Sequence, residues 1–362
     1  MRELTLPLPG RDTSYPVRLA AGLRHRLAAE LAPLNLPRRL LVVTDGNVAR
    51  LHGEAVLAGL EAGGYEAHLL TVPPGEKSKS WRQVTALTRE LLAKGADRST
   101  ALMALGGGVV GDLTGFVASL FMRGVPLIQV PTTLLAMVDA SIGGKTAINL
   151  PEAKNLLGTF HQPRLVAIDP EFLHTLSLKE RLNGLAEVLK AGFIRDASLL
   201  RLLDTEYPRL FQDLELLSEV IFRAAAIKAR IVAADEREGD IRRLLNFGHT
   251  LGHALEAASH YRLPHGQAVA HGMVAALMLS RQLTGLSPET CADGIRLIRG
   301  AGLARRPPRV GKEAVLSALG HDKKRQAGAL VFIVLREIGN AEVCSQVPLS
   351  LVTEVLERVL SG

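Results

Sequence analysis

His249 and His253 stand four residues apart in Asn246-Phe247-Gly248-His249-Thr250-Leu251-Gly252-His253-Ala254-Leu255-Glu256, and His265 follows twelve residues later in Leu263-Pro264-His265-Gly266. Positions i and i+4 of a helix share a face, so the first two imidazoles can address one point. Paired imidazoles with a third beyond the same helix point to a divalent metal, whereas a lone histidine there reads as a core or cap residue. The motif is not the His-Glu-x-x-His of metalloproteases, because Thr250 occupies the general-base position. Glu187 lies in the apolar pattern Gly184-Leu185-Ala186-Glu187-Val188-Leu189-Lys190, where an unpartnered carboxylate is costly to bury. It forms either a solvated ion pair with Lys190 or, with His249 and His265, a two-His, one-carboxylate set open to a substrate oxygen, the pattern of a catalytic zinc.

A second group of residues reads anions. Gly106-Gly107-Gly108-Val109-Val110-Gly111-Asp112 follows an apolar strand pattern and leads into a helix expected from Leu113. Glycines let backbone N–H groups approach a pyrophosphate at a helix N-terminus; a tight structural turn uses the same residues. Asp45, at the end of an earlier strand pattern, is available for a ribose hydroxyl, which favours a dinucleotide. Pro131-Thr132-Thr133, then Val138-Asp139-Ala140-Ser141-Ile142-Gly143-Gly144-Lys145-Thr146-Ala147-Ile148-Asn149, then Lys154-Asn155 and His161-Gln162-Pro163 form polar stretches rich in Lys and Asn. Such residues suit phosphate and hydroxyl recognition, or a solvated loop.

These residues need scaffolds. Residues 4–8 and 15–19 predict a hairpin around Pro9-Gly10-Arg11-Asp12. Strand patterns at 39–44, 66–72, 100–105, 127–130 and 165–168 alternate with helical patterns at 48–62 and 81–94, which predicts a Rossmann-like doubly wound parallel sheet. Beyond residue 176 long helical patterns dominate, at 182–194, 214–235, 248–259, 266–283 and 289–300, with one hairpin at 329–335 and 341–347 around Gly339-Asn340. The fold class expected is therefore α/β plus mainly α: residues 1–173 a nucleotide-binding α/β domain, residues 174–362 a mainly helical metal and substrate domain, with the active site in the cleft between them.

Composition narrows the class. Hydrophobic residues are 47% and charged residues 22% of 362, ordinary for a globular enzyme. No apolar run reaches the length of a membrane span, and Met1-Arg2-Glu3-Leu4 lacks signal-peptide blocks. Two cysteines without a shared motif suit a reducing cytoplasm. The net charge of +7 comes without basic-aromatic interleaving, so no nucleic-acid partner is expected, and an anionic small substrate fits as well.

Taken together, the motifs resemble one family, 3-dehydroquinate synthase in the sugar-phosphate cyclase group. The resemblance rests on Gly106–Ala118, Pro131–Ala136, Val138–Lys145, Lys154–Pro163, Gly184–Lys190, Asn246–Glu256, Pro264-His265-Gly266 and Asp322-Lys323-Lys324, in family order over nearly the whole chain. It implies a bound NAD regenerated in each turnover, one Zn²⁺ or Co²⁺, and 3-deoxy-D-arabino-heptulosonate 7-phosphate cyclised to 3-dehydroquinate with loss of phosphate. By that resemblance the metal ligands are Glu187, His249 and His265. NAD contacts fall on Asp45, Glu76, Lys79, Gly107, Gly108, Asp112, Thr132, Thr133, Asp139, Phe172, Thr175 and Leu176. Substrate contacts fall on Arg123, Asp139, Lys145, Lys154, Asn155, Lys190, Lys228, Arg242, Asn246, His253, Lys323 and Lys324. Of these, His253, Lys145, Lys190, Asn246 and Arg242 are the expected catalytic set, with His253 a proton relay near neutral pKa. A homodimer is implied too, with Arg123 reaching a neighbouring site. Ala147, Lys179 and Met137 depart from the family pattern, Ala147 by adding a methyl in the substrate loop. Rival readings are a cyclase for another sugar phosphate and a metal-dependent polyol dehydrogenase that releases NADH.

Overall fold

The structure, a computed structural model, describes residues 1–8, 14–325 and 330–362, with side chains at all of these except 321–325. The expected turn at Pro9–Asp12 and the side chains of Lys323 and Lys324 lie outside the described residues.

Eleven strands are described: β1 (Arg2–Leu6), β2 (Tyr15–Leu19), β3 (Arg39–Asp45), β4 (Glu66–Val72), β5 (Thr100–Gly106), β6 (Leu127–Pro131), β7 (Lys145–Ile148), β8 (Leu157–Phe160), β9 (Leu165–Ile168), β10 (Phe332–Glu337) and β11 (Asn340–Cys344). Seven form one sheet in the order β1-β2-β9-β6-β5-β3-β4. Every pairing in it is parallel except β1 with β2, the antiparallel edge. Parallel strands are covered on both faces and read as continuous apolar runs. Accordingly every residue of β5, β6 and β9 is buried.

The strand order positions the anion-reading residues. β3 pairs with β4 on one side and β5 on the other, so the chain reverses its direction of sheet growth at β3/β5. In open α/β sheets ligands bind beyond the strand C-termini at such a switch point. Asp45 ends β3, Gly106 ends β5, and Thr132 follows β6, donating its N–H to the Gly106 carbonyl at 2.9 Å.

Contacts divide the chain into two compact units, Met1–Ser177 with Leu214–Ala233, and Leu178–Asp213 with Ala234–Gly362. The sequence boundary near residue 174 treats the second part as continuous, but the helix Leu214–Ala234 packs with the sheet unit. Its apolar stripe says that one face is covered, and only tertiary contacts say by what: Arg2 bonds Glu219 and lies 5.8 Å over the Phe222 ring, while Lys228 reaches Asp139.

In the second unit, helix His249–Ala258 lies against helix His265–Leu283 with almost no side chain between them. A Cβ on Gly272 would stand 1.8 Å from the Gly248 carbonyl oxygen, and one on Gly252 would stand 3.1 Å from Val269 Cα. Gly248 itself has φ +79, a conformation glycine adopts without strain, just before His249. The glycines thus fix how far His249 sits from His265. Gly272→Ala is expected to cost about 1–3 kcal/mol or more by overpacking. It should also weaken zinc binding, as read by urea unfolding and a competing chelator.

Helices Ala197–Glu206, Lys312–Arg325 and Leu349–Ser361 add to those expected. The late hairpin forms with Gly339 at φ +89, and it is tied to the helices through Leu335 N–H donating to Ser280 Oγ at 2.9 Å. Among the described residues no helix is long and apolar enough to cross a membrane.

Candidate active-site residues in each unit

In the sheet unit the expected helix after β5 starts at Gly108 rather than Leu113, with Gly107 as its N-cap. Close approach, not positive φ, explains the glycines here. A Cβ on Gly106 would stand 2.6 Å from Val110 Cβ, and one on Gly107 would touch Thr133 at 3.0 Å. This leaves the first turn of a thirteen-residue helix, with its N–H groups and positive dipole end, at the sheet switch point.

Around it a polar network gathers residues expected from separate motifs. Lys79, 4% exposed, gives Nζ to Asp112 Oδ2 at 2.6 Å and also bonds Asn155 Oδ1, with Glu76 Oε1 at 3.9 Å. Asn149 links the rest: its Nδ2 donates to Glu76 Oε1 at 2.8 Å, its Oδ1 accepts from Asn155 N at 2.9 Å, and its N–H donates to Lys79 O at 2.8 Å. Asn149 was absent from the expected site residues, although it stands in the motif that contains them. Asp45 Oδ1 caps the following turn, accepting from Asn47 N at 2.8 Å and Val48 N at 3.2 Å, which holds the carboxylate at the end of β3.

Asp139 lies in a one-turn π-helix, Ala136–Ala140, a form frequent at functional sites. Its Oδ1 meets Lys228 Nζ at 2.5 Å. The polar stretch, read as a phosphate- and hydroxyl-recognising segment or a solvated loop, contains a hairpin: β7 pairs antiparallel with β8, placing Lys145 opposite Phe160 and Ala147 opposite Gly158. Ala147 shares a strand face with Lys145 because side chains alternate along a strand. Its methyl is accommodated because the residue opposite is glycine, whose own Cβ would stand 3.3 Å from that methyl. Arg123 is exposed, with φ +68 following Met122 at φ +49. Phe172 is 1% exposed and packs edge-on to His52 at 4.8 Å between ring centres, so any NAD contact there runs through backbone. His52, which sequence reading missed, also bonds Thr175 Oγ1 at 2.9 Å through Nε2.

The helical unit brings three expected ligands together. Glu187, on helix Leu178–Arg195, is 2% exposed. Its Oε1 stands 3.4 Å from His249 Nε2 and 3.2 Å from His265 Nε2, and one ligand atom from each residue lies within 4.8 Å of the others. The Glu187 Oε2 side faces the buried Lys190 ammonium. Burial works to raise the Glu187 pKa. The Lys190 charge, followed by His249 and His265, outweighs it and holds the carboxyl well below its ordinary range. The ion-pair and metal-site readings of Glu187 are therefore compatible, one per oxygen.

The outer nitrogens are occupied as metal-bound histidines require. His249 Nδ1 is 3.2 Å from Phe247 O, and His265 Nδ1 is 3.2 Å from Glu256 Oε2. Two Nε2 atoms and one anionic carboxylate oxygen, with the other nitrogens held, fit a Zn²⁺ or Co²⁺ ion. His253, one turn beyond His249 on the same helix, has its ring 5.2 Å from that of His249. It is open to solvent at one side, yet surrounding protein and then His249 push its pKa down to about 4, below the near-neutral value expected. Its imidazole is neutral at ordinary pH, free to accept a proton.

Arg242 is buried, with its backbone N–H donating to Asp235 Oδ2 at 3.1 Å and its guanidinium bonded to Glu236 O. Asn246 Nδ2 donates to Glu238 Oε1 at 3.1 Å. Asp235 also accepts from Gly239 N at 2.9 Å and Asp240 N at 2.8 Å, so one carboxylate builds the loop that presents Arg242 and Asn246. Burial works to raise its pKa, but these backbone donors together outweigh it and lower the pKa from 3.8 to about 2. A depressed folded-state pKa means that the carboxylate stabilises the fold above its unfolded pKa and ceases to as pH falls through the folded value. The thermal midpoint of Asp235→Asn should therefore lie below wild type above about pH 5, with the gap closing towards about pH 2. Thermal scans at stepped pH check this.

Comparison with known proteins adds sequence relationship to this geometry. Two family models match consecutive stretches, 3-dehydroquinate synthase N-terminal over residues 69–183 and 3-dehydroquinate synthase C-terminal over residues 184–325. The 3-dehydroquinate synthase of Thermosynechococcus vestitus is 44% identical over 98% of this chain and 98% of its own. That of Syntrophotalea carbinolica is 43% identical over 96% of this chain and 97% of its own. Among solved structures, a 2-epi-5-epi-valiolone synthase from Streptomyces hygroscopicus, with NAD⁺ and Zn²⁺ bound, superposes with a TM-score of 0.89 at 31% identity, covering 97% of this chain and 98% of that one.

Proposed function

The chain belongs to the 3-dehydroquinate synthase family, and on that premise we propose that it converts 3-deoxy-D-arabino-heptulosonate 7-phosphate to 3-dehydroquinate and phosphate, a step of aromatic amino-acid biosynthesis. In class terms it would be a carbon–oxygen lyase. The observation that carries the reading is the convergence of Glu187, His249 and His265 in a chain related to this family along its length.

NAD, when bound, supplies a reversible hydride acceptor, and a divalent metal supplies Lewis acidity that acidifies a hydroxyl and polarises a carbonyl. Glu187, His249 and His265 would hold the metal. The first turn after Gly107, with Asp45, Glu76, Lys79, Asp112, Thr132, Thr133, Asp139, Phe172, Thr175 and Leu176, would hold NAD. Arg123, Lys145, Lys154, Lys190, Lys228 and Arg242 would hold substrate carboxylate and phosphate by charge-assisted hydrogen bonds, with Lys323 or Lys324. Asn155 and Asn246 would read hydroxyls. His253, neutral and beside the metal ligands, would carry a proton between substrate oxygen and solvent.

Phosphate release from purified protein, with and without NAD and a chelator, tests the reading. Release that needs both NAD and the metal, and is lost with the chelator, without net NADH, supports it. Release only from sedoheptulose 7-phosphate would make this a different cyclase, and NADH accumulation with polyols a dehydrogenase. We further propose a cytoplasmic homodimer. Two unpaired cysteines are in keeping with a reducing compartment, and exposed Arg123 is suited to reach a second copy. An active monomer in ultracentrifugation would refute the dimer.

A further inference from the structure

The buried Glu256 is not needed as a metal ligand, yet its carboxylate points into the histidine cluster. His249, His253 and Glu256 form one stripe along helix His249–Ala258, at intervals of four and three residues. Glu256 is 7% exposed, and its Oε2 stands 3.2 Å from His265 Nδ1 while His265 Nε2 faces Glu187 Oε1 at the same 3.2 Å. The imidazole is thus held at both nitrogens, along the line that a metal-bound ring must keep. The backbone of Glu256 serves the same end. Its carbonyl accepts from Tyr261 N at 2.8 Å and from Ser259 Oγ at 2.8 Å, and Ser259 Oγ in turn accepts from Leu263 N at 3.1 Å. These bonds brace a connection in which His260 and Tyr261 both take left-handed φ, +51 and +58, with three residues between them and the helix that His265 begins. Left-handed backbone at two successive side-chain-bearing residues persists only where surroundings impose it.

We infer that Glu256 is a positioning residue for His265: its carboxylate accepts the Nδ1 proton, fixes the tautomer that leaves Nε2 as the metal-facing lone pair, and locks the ring plane towards Glu187. This rests on the metal reading of Glu187, His249 and His265. A rival arrangement places a metal among His253, Glu256 and His265, whose ligand atoms also cluster. It would use the Nδ1 and Oε2 atoms that already face each other. The burial of Glu187 and its contacts to both other histidines favour the first set.

The test is zinc affinity of the metal-stripped full chain, read by competition with a chromophoric chelator, for wild type, Glu256→Ala, Glu256→Gln and Glu187→Gln. Loss of a partner to a ligating histidine costs roughly 10–100-fold in metal affinity. Glu256→Ala is expected to fall in that range, with Glu256→Gln, whose amide oxygen still accepts from Nδ1, retaining more. Metal-stripped Glu256→Gln should keep the wild-type far-ultraviolet circular dichroism and a single cooperative unfolding transition, which separates positioning from general unfolding. Zinc affinity within twofold of wild type for Glu256→Ala, beside a large loss in Glu187→Gln, would overturn the inference and leave the metal site standing. Zinc lost by Glu256→Ala but kept by Glu187→Gln would make Glu256 a ligand and overturn it too. Failure of wild type to bind zinc would remove the metal reading and the inference together.

Discussion

Glu187→Gln is expected to abolish stoichiometric zinc and to lower phosphate release about a thousandfold. Glu187 is the only anionic member of its three-residue set, and the same group answers the Lys190 ammonium, which is 3% exposed. Removing one partner of a buried ion pair strands the other charge, at about 3–5 kcal/mol. That is a cost to the fold; the rate loss follows from the missing metal, whose Lewis acidity is worth several kcal/mol, or roughly three orders of magnitude at about 1.4 kcal/mol per tenfold. Glu187→Asp keeps the charge but withdraws it by one methylene, so partial zinc occupancy should return with little rate. Metal content and single-turnover phosphate release report the two effects separately. A Gln variant with one zinc per chain and a rate within tenfold of wild type would sink the assignment.

Lys79→Met should weaken NAD binding by about two orders of magnitude. Methionine fills a similar space but leaves Asp112 and Asn155 without the ammonium they share, beside the helix N-terminus after β5. Asp112 then stands as a poorly compensated carboxylate beside the turn proposed to hold the anionic pyrophosphate, and that like-charge juxtaposition costs a few kcal/mol of binding. Its partial exposure, 21% of the side chain, places the effect at the lower end. Fluorescence titration with NAD⁺ would read the loss. A double-mutant cycle with Asp112→Asn would show coupling if the two act as one unit. Additive effects would mean that Lys79 touches the nucleotide independently of Asp112.

How much was legible varied with the range of the interaction. The parallel strands stood out because each is a short apolar run ending at Asp, Gly or Pro. The composite turn, π-helix and helix over Gly46–Ala62 read as one helix, since hydrophobic period does not register a local change of winding. β7 and β8 carry no strand signal because each is only four residues long and partly exposed, held by pairing rather than burial. Asn149, His52, Asp235, Glu238 and Glu256 escaped for a common reason. Each acts by holding another residue, and a hydrogen bond across the fold leaves no periodic trace in the chain.

What the sequence alone determined was chemical type and local form. The histidine spacing, the glycine run beside an apolar strand, and the Lys-Asn stretches named the residues able to bind a metal, a dinucleotide and an anion. They could do so because helix and strand periods are local and steric. Tertiary structure decided which of those groups meet. It brought Glu187 to His249 and His265 across intervals of 62 and 78 residues and sent helix Leu214–Ala234 to the sheet unit. It also assigned Glu256 to the far nitrogen of His265. Those choices depend on backbone contacts such as Gly272 against Gly248, where a single methyl would change the distance between helices.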